Sequence, residues 1–553
     1  MEKNVSSDQQ SLNQETTKVQ AATLTQWVQW IVAIAVSGVA LFLFVARATY
    51  AGSLWRDEAD SVQSAQLPFG EMVHAVQYSS FPILFPLVVR VHTTLFGAGN
   101  VSLRCFGVAV GILLLAMTWL PIRRLTGNAP LLLPAMIALN ANFLIAGMSL
   151  RGYGFGSLLV LLAFVCTVRL LLNPNLQTLV SVFVADLACV HCLFWNVPLI
   201  LSMTIGAVGV LLIRRELRWV CLLTGVLIIC GLSEIFYWWQ FRSSLSGWEK
   251  IIQVPVSFAL VWQYFLVAWG DISPTISIIW LAVIFVALVG ALWRLVRVWR
   301  KRQERERDLL LFGILLVPLS IIASYALGMM IQRSPEQRFF LALTILVAAT
   351  SDLIWANFPL WLRAARIGLV VLAVITVPFL LWNYIIQAES NAETIAKIAG
   401  QDAGPSDLIV VNPWTYGVSF NWYYRGAARW VSVPEIDDHR IHRYDLVLNK
   451  METPSPLADV KREIVTTLKS GNRVWFAGQI KRPAPGETQF QLSPAPDPKF
   501  GWLGSAYREA WSQELGLFLW RRVREINSVD TRTEKAINAR ENMLLLELEG
   551  WKD

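Results

Sequence analysis

Apolar runs of roughly 15 to 22 residues recur along the chain from Trp27 to Ile386 and then stop. A helix of that length crosses a hydrocarbon core about 30 Å thick, and inside lipid a helix keeps its backbone groups bonded internally. Of 553 residues, 55% are hydrophobic and 16% charged, with 25 Trp and 27 Phe, more apolar surface than one soluble core could hide. The expected fold class is a multi-span α-helical membrane protein with about 11 transmembrane helices, interfacial helices and a C-terminal extracytoplasmic α/β domain. The net charge of +8 would suggest a nucleic-acid partner for a soluble chain. Here much of the Lys and Arg falls in short turns between apolar runs, so the partner is the lipid bilayer, not nucleic acid. The six cysteines lie in or beside apolar runs and imply no disulfide framework.

Cytoplasmic loops are enriched in Lys and Arg. With residues 1–26 as a cytoplasmic tail and Trp27 to Val45 as an uncleaved first span, alternating sides places Arg123, Arg124, Arg214, Arg215, Arg218, the run from Arg300 to Arg307, Arg363 and Arg366 inside. This requires Phe81 to Phe96 and Val256 to Trp269 to lie on the outer surface without crossing. A multi-pass protein of a bacterial-type inner (plasma) membrane is expected. Residues 27–386 form its membrane region, with a first outer loop at 50–104, and its C-terminal domain is extracytoplasmic.

The residues able to do chemistry collect on the outer side. Trp55-Arg56-Asp57-Glu58 puts two adjacent carboxylates just beyond the first span, placed to take a proton from a hydroxyl. Arg151, Arg333 and Arg338 lie in outer turns and supply cations for a departing phosphate. Positive charge clustered there runs against the topology rule. Glu234, His191 and Tyr153 are candidates for the same cavity. Cys189 and Cys192 share a helix face from which His191 is displaced, so no metal site is expected there.

In order, Trp55-Arg56-Asp57-Glu58, the Phe81-Pro82 segment leading to Leu95-Phe96-Gly97, Ser102-Leu103-Arg104, Arg151-Gly152-Tyr153 and Arg338-Phe339-Phe340 resemble the GT-C superfamily of integral membrane glycosyltransferases. The branch in question holds the protein O-mannosyltransferases and lipid A aminoarabinose transferases, a glycosyltransferase family 39-like pattern. The resemblance covers roughly the first 390 residues, and its specificity lies in the order of weak motifs. It implies inverting transfer of a monosaccharide from a polyprenyl-phosphate donor to an acceptor hydroxyl on a glycan, lipid or protein. Asp57 matches the catalytic carboxylate and Glu58 its neighbour in acceptor or site organisation; Arg338 and Arg151 match lipid-phosphate contacts. The chain departs from the pattern at Phe81-Pro82-Ile83-Leu84, where relatives carry Pro-Pro-Leu. It also has Met148, Ser149 and Leu150 where an acidic residue often precedes the Arg-x-Tyr motif. No cofactor is indicated, and a divalent cation is left open.

Blander readings stand beside these. Asp57 and Glu58 could cap a solvated loop helix, and the arginines could anchor lipid headgroups. A transporter or lipid flippase would also have many spans and a charged cavity, but it would more typically show internal repeats, and none is visible. A catalytically dead relative serving as a binding scaffold is a third reading. From Ser406 the pattern predicts a small α/β domain within residues 387–529. Its strands are expected at Asp407 to Val411, Trp430 to Val433, Asp445 to Leu448, Arg473 to Ala477 and Leu517 to Val523, with a helix near Leu457 to Lys469. Residues 530–553 are expected to form a surface tail, helical at best. The domain's expected role is acceptor recognition or covering the site.

Overall fold

A computed structural model describes residues 2–79, 81–237, 256–270, 273–301, 304–331, 336–355, 358–484, 486–488, 492–494, 504–531 and 535–552. Among these, nine helices are long and apolar enough to cross a membrane: Thr23–Tyr50, Asn100–Leu120, Gly152–Leu172, Phe194–Ile213, Leu217–Tyr237, Pro274–Arg300, Glu304–Met330, Gln337–Trp355 and Leu360–Ile385. About eleven spans are expected from the sequence; the two stretches counted beyond these nine are shorter pieces that do not reach that length. One is the helix Leu176–Val190; the other is broken into Leu132–Ala138 and the π-helical turn Phe143–Gly147. Leu84–Phe96 and Phe258–Gly270, of 13 residues each, are about 20 Å long at the helical rise and too short to cross. The polar N-terminal residues continue into the first span as one helix, α1 (Glu2–Tyr50).

The helix Leu341–Trp355 is mostly apolar and buried throughout, as expected of a helix at the centre of a bundle. Its one acid, Asp352, pairs with Arg366 at 3.2 Å and accepts the backbone N–H groups of Leu131, Leu132 and Leu133. A buried carboxylate thereby satisfies amides at the start of helix Leu132–Ala138 that the helix cannot bond itself.

After Ile385 the chain enters a five-stranded sheet of order β2-β1-β3-β5-β4. The strands are β1 (Leu408–Asn412), β2 (Arg429–Ser432), β3 (Val474–Gly478), β4 (Val523–Ser528) and β5 (Leu544–Trp551). β1, β2 and β3 run parallel, and β5 lies antiparallel between β3 and β4. Alternate residues feed two cores: Leu408, Val410 and Phe476 on one face, Ile409, Val411 and Trp475 on the other. That is the two-sided burial a helix-covered parallel sheet requires.

Three sequence expectations fail in this domain. Asp445 to Leu448 is part of a helix, Tyr444–Met451, because burying Val447, Leu448 and Met451 together requires helical spacing. Leu517 to Val523 is mostly the last turns of helix Gly504–Arg522, whose Tyr507, Trp511, Leu515 and Leu519 fall on one buried stripe. The expected tail at 530–553 contains β5, the second strand from the sheet's antiparallel edge, with Leu545 and Leu548 buried on opposite faces.

The domain sits on α2 (Arg56–Gln66), the first helix after α1. Gln63 donates to the Val418 carbonyl at 2.9 Å and accepts from Asn421 at 2.7 Å, and the Leu54 N–H donates to the Tyr423 hydroxyl at 2.7 Å. At the end of α1, Arg47 bonds Glu389 and the carbonyls of Ile385 and Gln387. The chain's entry into the domain is thus fixed to the first span.

Candidate active site

The acids Asp57 and Glu58 sit in the first turn of α2, where the helix dipole favours negative charge. Successive helical residues point about 100° apart, and that rotation gives the two acids different fates. Asp57, Asp60 and Ser61 share the face toward Arg151. Glu58 turns away into the protein, where it is fully buried. Its carboxylate accepts Arg104 Nη1 at 2.6 Å, the Leu150 N–H at 2.9 Å and the Trp55 N–H at 3.4 Å. Arg104 also donates to the carbonyls of Gly52 and Ser53. Glu58 does not line the cavity described below; it ties the start of α2 to the next span and to the Arg151 turn.

Arg151 is the extended residue before helix Gly152–Leu172, with φ −131° and ψ 155°. Two glycines let the chain reach this position. A Cβ on Gly154 would lie 1.8 Å from the Gly147 carbonyl oxygen, and one on Gly107 would lie 2.0 Å from that of Met148. The Arg151 guanidinium lies over Phe81 at 4.6 Å and donates to the Asp57 carbonyl at 2.7 Å, to Ser61 at 3.1 Å and to Asp60 at 3.3 Å. It also stands 4.0 Å from the Asp57 carboxylate. Arg338, in the 3-10 turn Gln337–Phe340, reaches the same Asp57 oxygen, Oδ2, at 3.4 Å and pairs with Glu336 at 3.0 Å. Tyr153 lies under it at 5.5 Å, its own ring set between Phe81 and Phe339. Buried Nε atoms of both arginines have no hydrogen-bond partner among the described residues.

The C-terminal domain supplies the other wall. The His442 backbone N–H donates to Asp60 Oδ1 at 3.0 Å, and its Nε2 stands 3.3 Å from Asp57 Oδ1. Together these elements enclose a cavity of about 560 Å³. Trp55, Arg56, Asp57, Asp60, Arg151, Tyr153 and Arg338 line it from the bundle, and Trp414, His442, Tyr444, Arg508 and Arg540 from the domain. Burial pushes the Asp57 carboxyl up, but Arg151 foremost, together with Arg338, outweighs it and holds the group well below the ordinary carboxylate range. Asp57 is therefore an anion at neutral pH.

Asp57, Arg151, Arg338 and Tyr153 are thus brought together. Arg333 lies outside the described residues. His191 and Glu234 meet each other instead, 3.8 Å apart, and His191 bonds Tyr237 and Ser233. They form a separate cluster and do not line the cavity, because the turn after Leu176–Val190 packs against the end of Leu217–Ser233. Among the described residues, no three His, Cys, Asp or Glu side chains are grouped to hold a metal ion. Sequence reasoning missed Asp60 and His442. A signal for the second was present: two of the chain's five histidines fall in Asp438-His439-Arg440-Ile441-His442-Arg443.

The architecture is similar to two solved structures of ArnT from Cupriavidus metallidurans, one bound to undecaprenyl phosphate and one in the apo state. Both are 12% identical to this chain and align over 81% of it and 92% of their own length, with TM-scores of 0.47 and 0.48. No protein-family model matches the sequence, and no curated protein matches it.

Proposed function

We propose that this chain is a membrane glycosyltransferase of the GT-C kind. It moves a monosaccharide, with inversion, from a polyprenyl-phosphate donor to a hydroxyl of a glycan, lipid or protein acceptor on the extracytoplasmic side of an inner (plasma) membrane. The observation that carries this reading is Asp57 itself: a cavity-facing carboxylate clamped by two guanidiniums, each with a buried Nε donor left over. A site built only to hold an anion has no use for a carboxylate between its cations. A site that must accept a proton and stabilise a leaving phosphate needs both.

In the reaction, the acceptor oxygen attacks the anomeric carbon as its proton passes to Asp57. The bond from that carbon to the phosphate oxygen breaks on the opposite face. The electron pair leaves with the lipid phosphate, whose charge Arg338 and Arg151 stabilise. The cavity lies where the start of α2, the Arg151 turn and the Arg338 turn meet the bundle's end, a suitable depth for a headgroup whose tail stays in lipid.

The test is sugar release from a panel of polyprenyl-phosphate monosaccharides by detergent-purified protein, with membrane extract as acceptor. The reading expects turnover with at least one donor and its loss in Asp57→Asn. Undiminished turnover in that variant would move catalysis to another carboxylate, and no turnover with any donor would remove the proposal.

A further inference from the structure

The two oxygens of Asp57 face different partners. Oδ2 faces Arg338 and Arg151, while Oδ1 faces the His442 imidazole at 3.3 Å. That imidazole is buried, and neither ring nitrogen has a hydrogen-bond partner among the described residues. Burying polar atoms without partners is costly, and the position is nevertheless held firmly. The His442 backbone is bonded to Asp60, the Trp414 ring meets the imidazole edge-on at 5.9 Å, and Tyr444 flanks it at 5.7 Å.

We propose that His442 makes the catalytic centre a two-domain assembly, receiving at Nε2 the proton that Asp57 takes from the acceptor hydroxyl. The inference rests on the glycosyl-transfer reading and adds to it a destination for the proton. A carboxylate flanked by two guanidiniums takes a proton only transiently, because both cations favour its charged form. Imidazole is the side chain suited to hold a proton near neutrality. The step balances. The acceptor O–H bond breaks as the new glycosidic bond forms, the leaving phosphate keeps the electron pair of its bond to the sugar, and the proton moves through Asp57 to His442. Asp57 returns to its anionic form, still paired with the arginines, and His442 releases the proton to solvent through the cavity. His442 acts on the substrate only through Asp57 and is a positioning and relay residue. Asp57 and Asp60 on α2 face it, Arg151 and Arg338 stand beyond Asp57, and Tyr444 lies beside it; the neighbouring Arg443 is paired with Asp438 and Asp445.

The test uses the full-length chain in detergent with a donor that the wild type turns over. His442→Gln keeps the shape and polarity of the side chain but cannot carry the proton. We expect kcat near neutral pH to fall at least about tenfold, with donor KM within about threefold and a changed pH profile of kcat. In His442→Ala, added imidazole restores turnover, whereas Asp57→Asn is not rescued. His442→Gln with wild-type kcat and pH profile overturns the relay while leaving the Asp57 reading intact. A loss carried by KM, with an unchanged pH profile and no imidazole rescue, also overturns it and leaves His442 a packing residue. Absence of turnover by the wild type with every donor overturns both readings together.

Discussion

Adjacent acids with opposite jobs make a sharp test, and the perturbation is Glu58→Gln. Glu58 is fully buried and accepts three hydrogen bonds, from Arg104 and from the backbone at Leu150 and Trp55. A glutamine keeps one acceptor oxygen and turns an amide donor toward groups that are themselves donors. Arg104 is left buried without its counter-charge. Removing one partner of a buried ion pair costs about 3–5 kcal/mol, and the mismatched amide adds to that. Asp57→Asn is milder for the fold, because Arg151 keeps Asp60 and Arg338 keeps Glu336. Its effect falls on chemistry, where losing a general base costs about 10²–10⁴ in rate.

The assay pairs thermal unfolding in detergent with turnover per folded molecule. Glu58→Gln should lower Tm by about 3–4 °C while keeping turnover within about tenfold of wild type at a temperature where it is folded; Asp57→Asn should do the reverse. The double variant Glu58→Gln, Arg104→Gln should recover part of the lost stability, since the uncompensated charge is gone. If Glu58→Gln melts like wild type and is as inactive as Asp57→Asn, the division of labour is wrong and Glu58 takes part in the chemistry.

Three further outcomes follow from the same geometry. Arg338→Lys keeps the charge but loses the planar fork and the free Nε donor, so donor KM should rise about tenfold; an unchanged KM would mean that Arg338 does not meet the phosphate. Gly154→Ala puts a Cβ 1.8 Å from the Gly147 carbonyl oxygen, so it should cost at least about 1–3 kcal/mol and raise donor KM by displacing Arg151, read from Tm and steady-state kinetics. Burial pushes the Glu541 carboxyl up from 4.5 to about 7, against the lowering effect of Arg56 beside it. Between those values the folded chain holds a proton that the unfolded chain has lost, so the group's contribution to stability declines as pH rises through the window, by about 3 kcal/mol in all. The Tm of Glu541→Gln relative to wild type should therefore climb from pH 5 to 7 and then level off; a flat difference would show that Glu541 titrates at its ordinary value.

What could be read from the sequence followed from how far each contact reaches. Spans were legible because lipid imposes length and apolarity residue by residue, and Asp57, Arg151 and Arg338 could be singled out because charges at the ends of apolar helices must answer to something; the structure brings the three together. The distinction between Asp57 and Glu58 was not legible. It depends on Arg104, which enters from the following span and captures whichever acid faces it, so Ser102-Leu103-Arg104 belongs to the motif set for a structural reason. β5 was missed because Leu544-Leu545-Leu546-Glu547-Leu548-Glu549 is built from strong helix formers. Only pairing with β3 and β4 overrides that preference, and strand propensity is largely such context. His442 reaches Asp57 across 385 residues of sequence by way of a docked domain, and no local pattern encodes that docking. The membrane half thus carries motifs because its site residues are set by neighbouring helix ends, whereas the domain's contribution exists only once α2 has both helices and sheet to pack against.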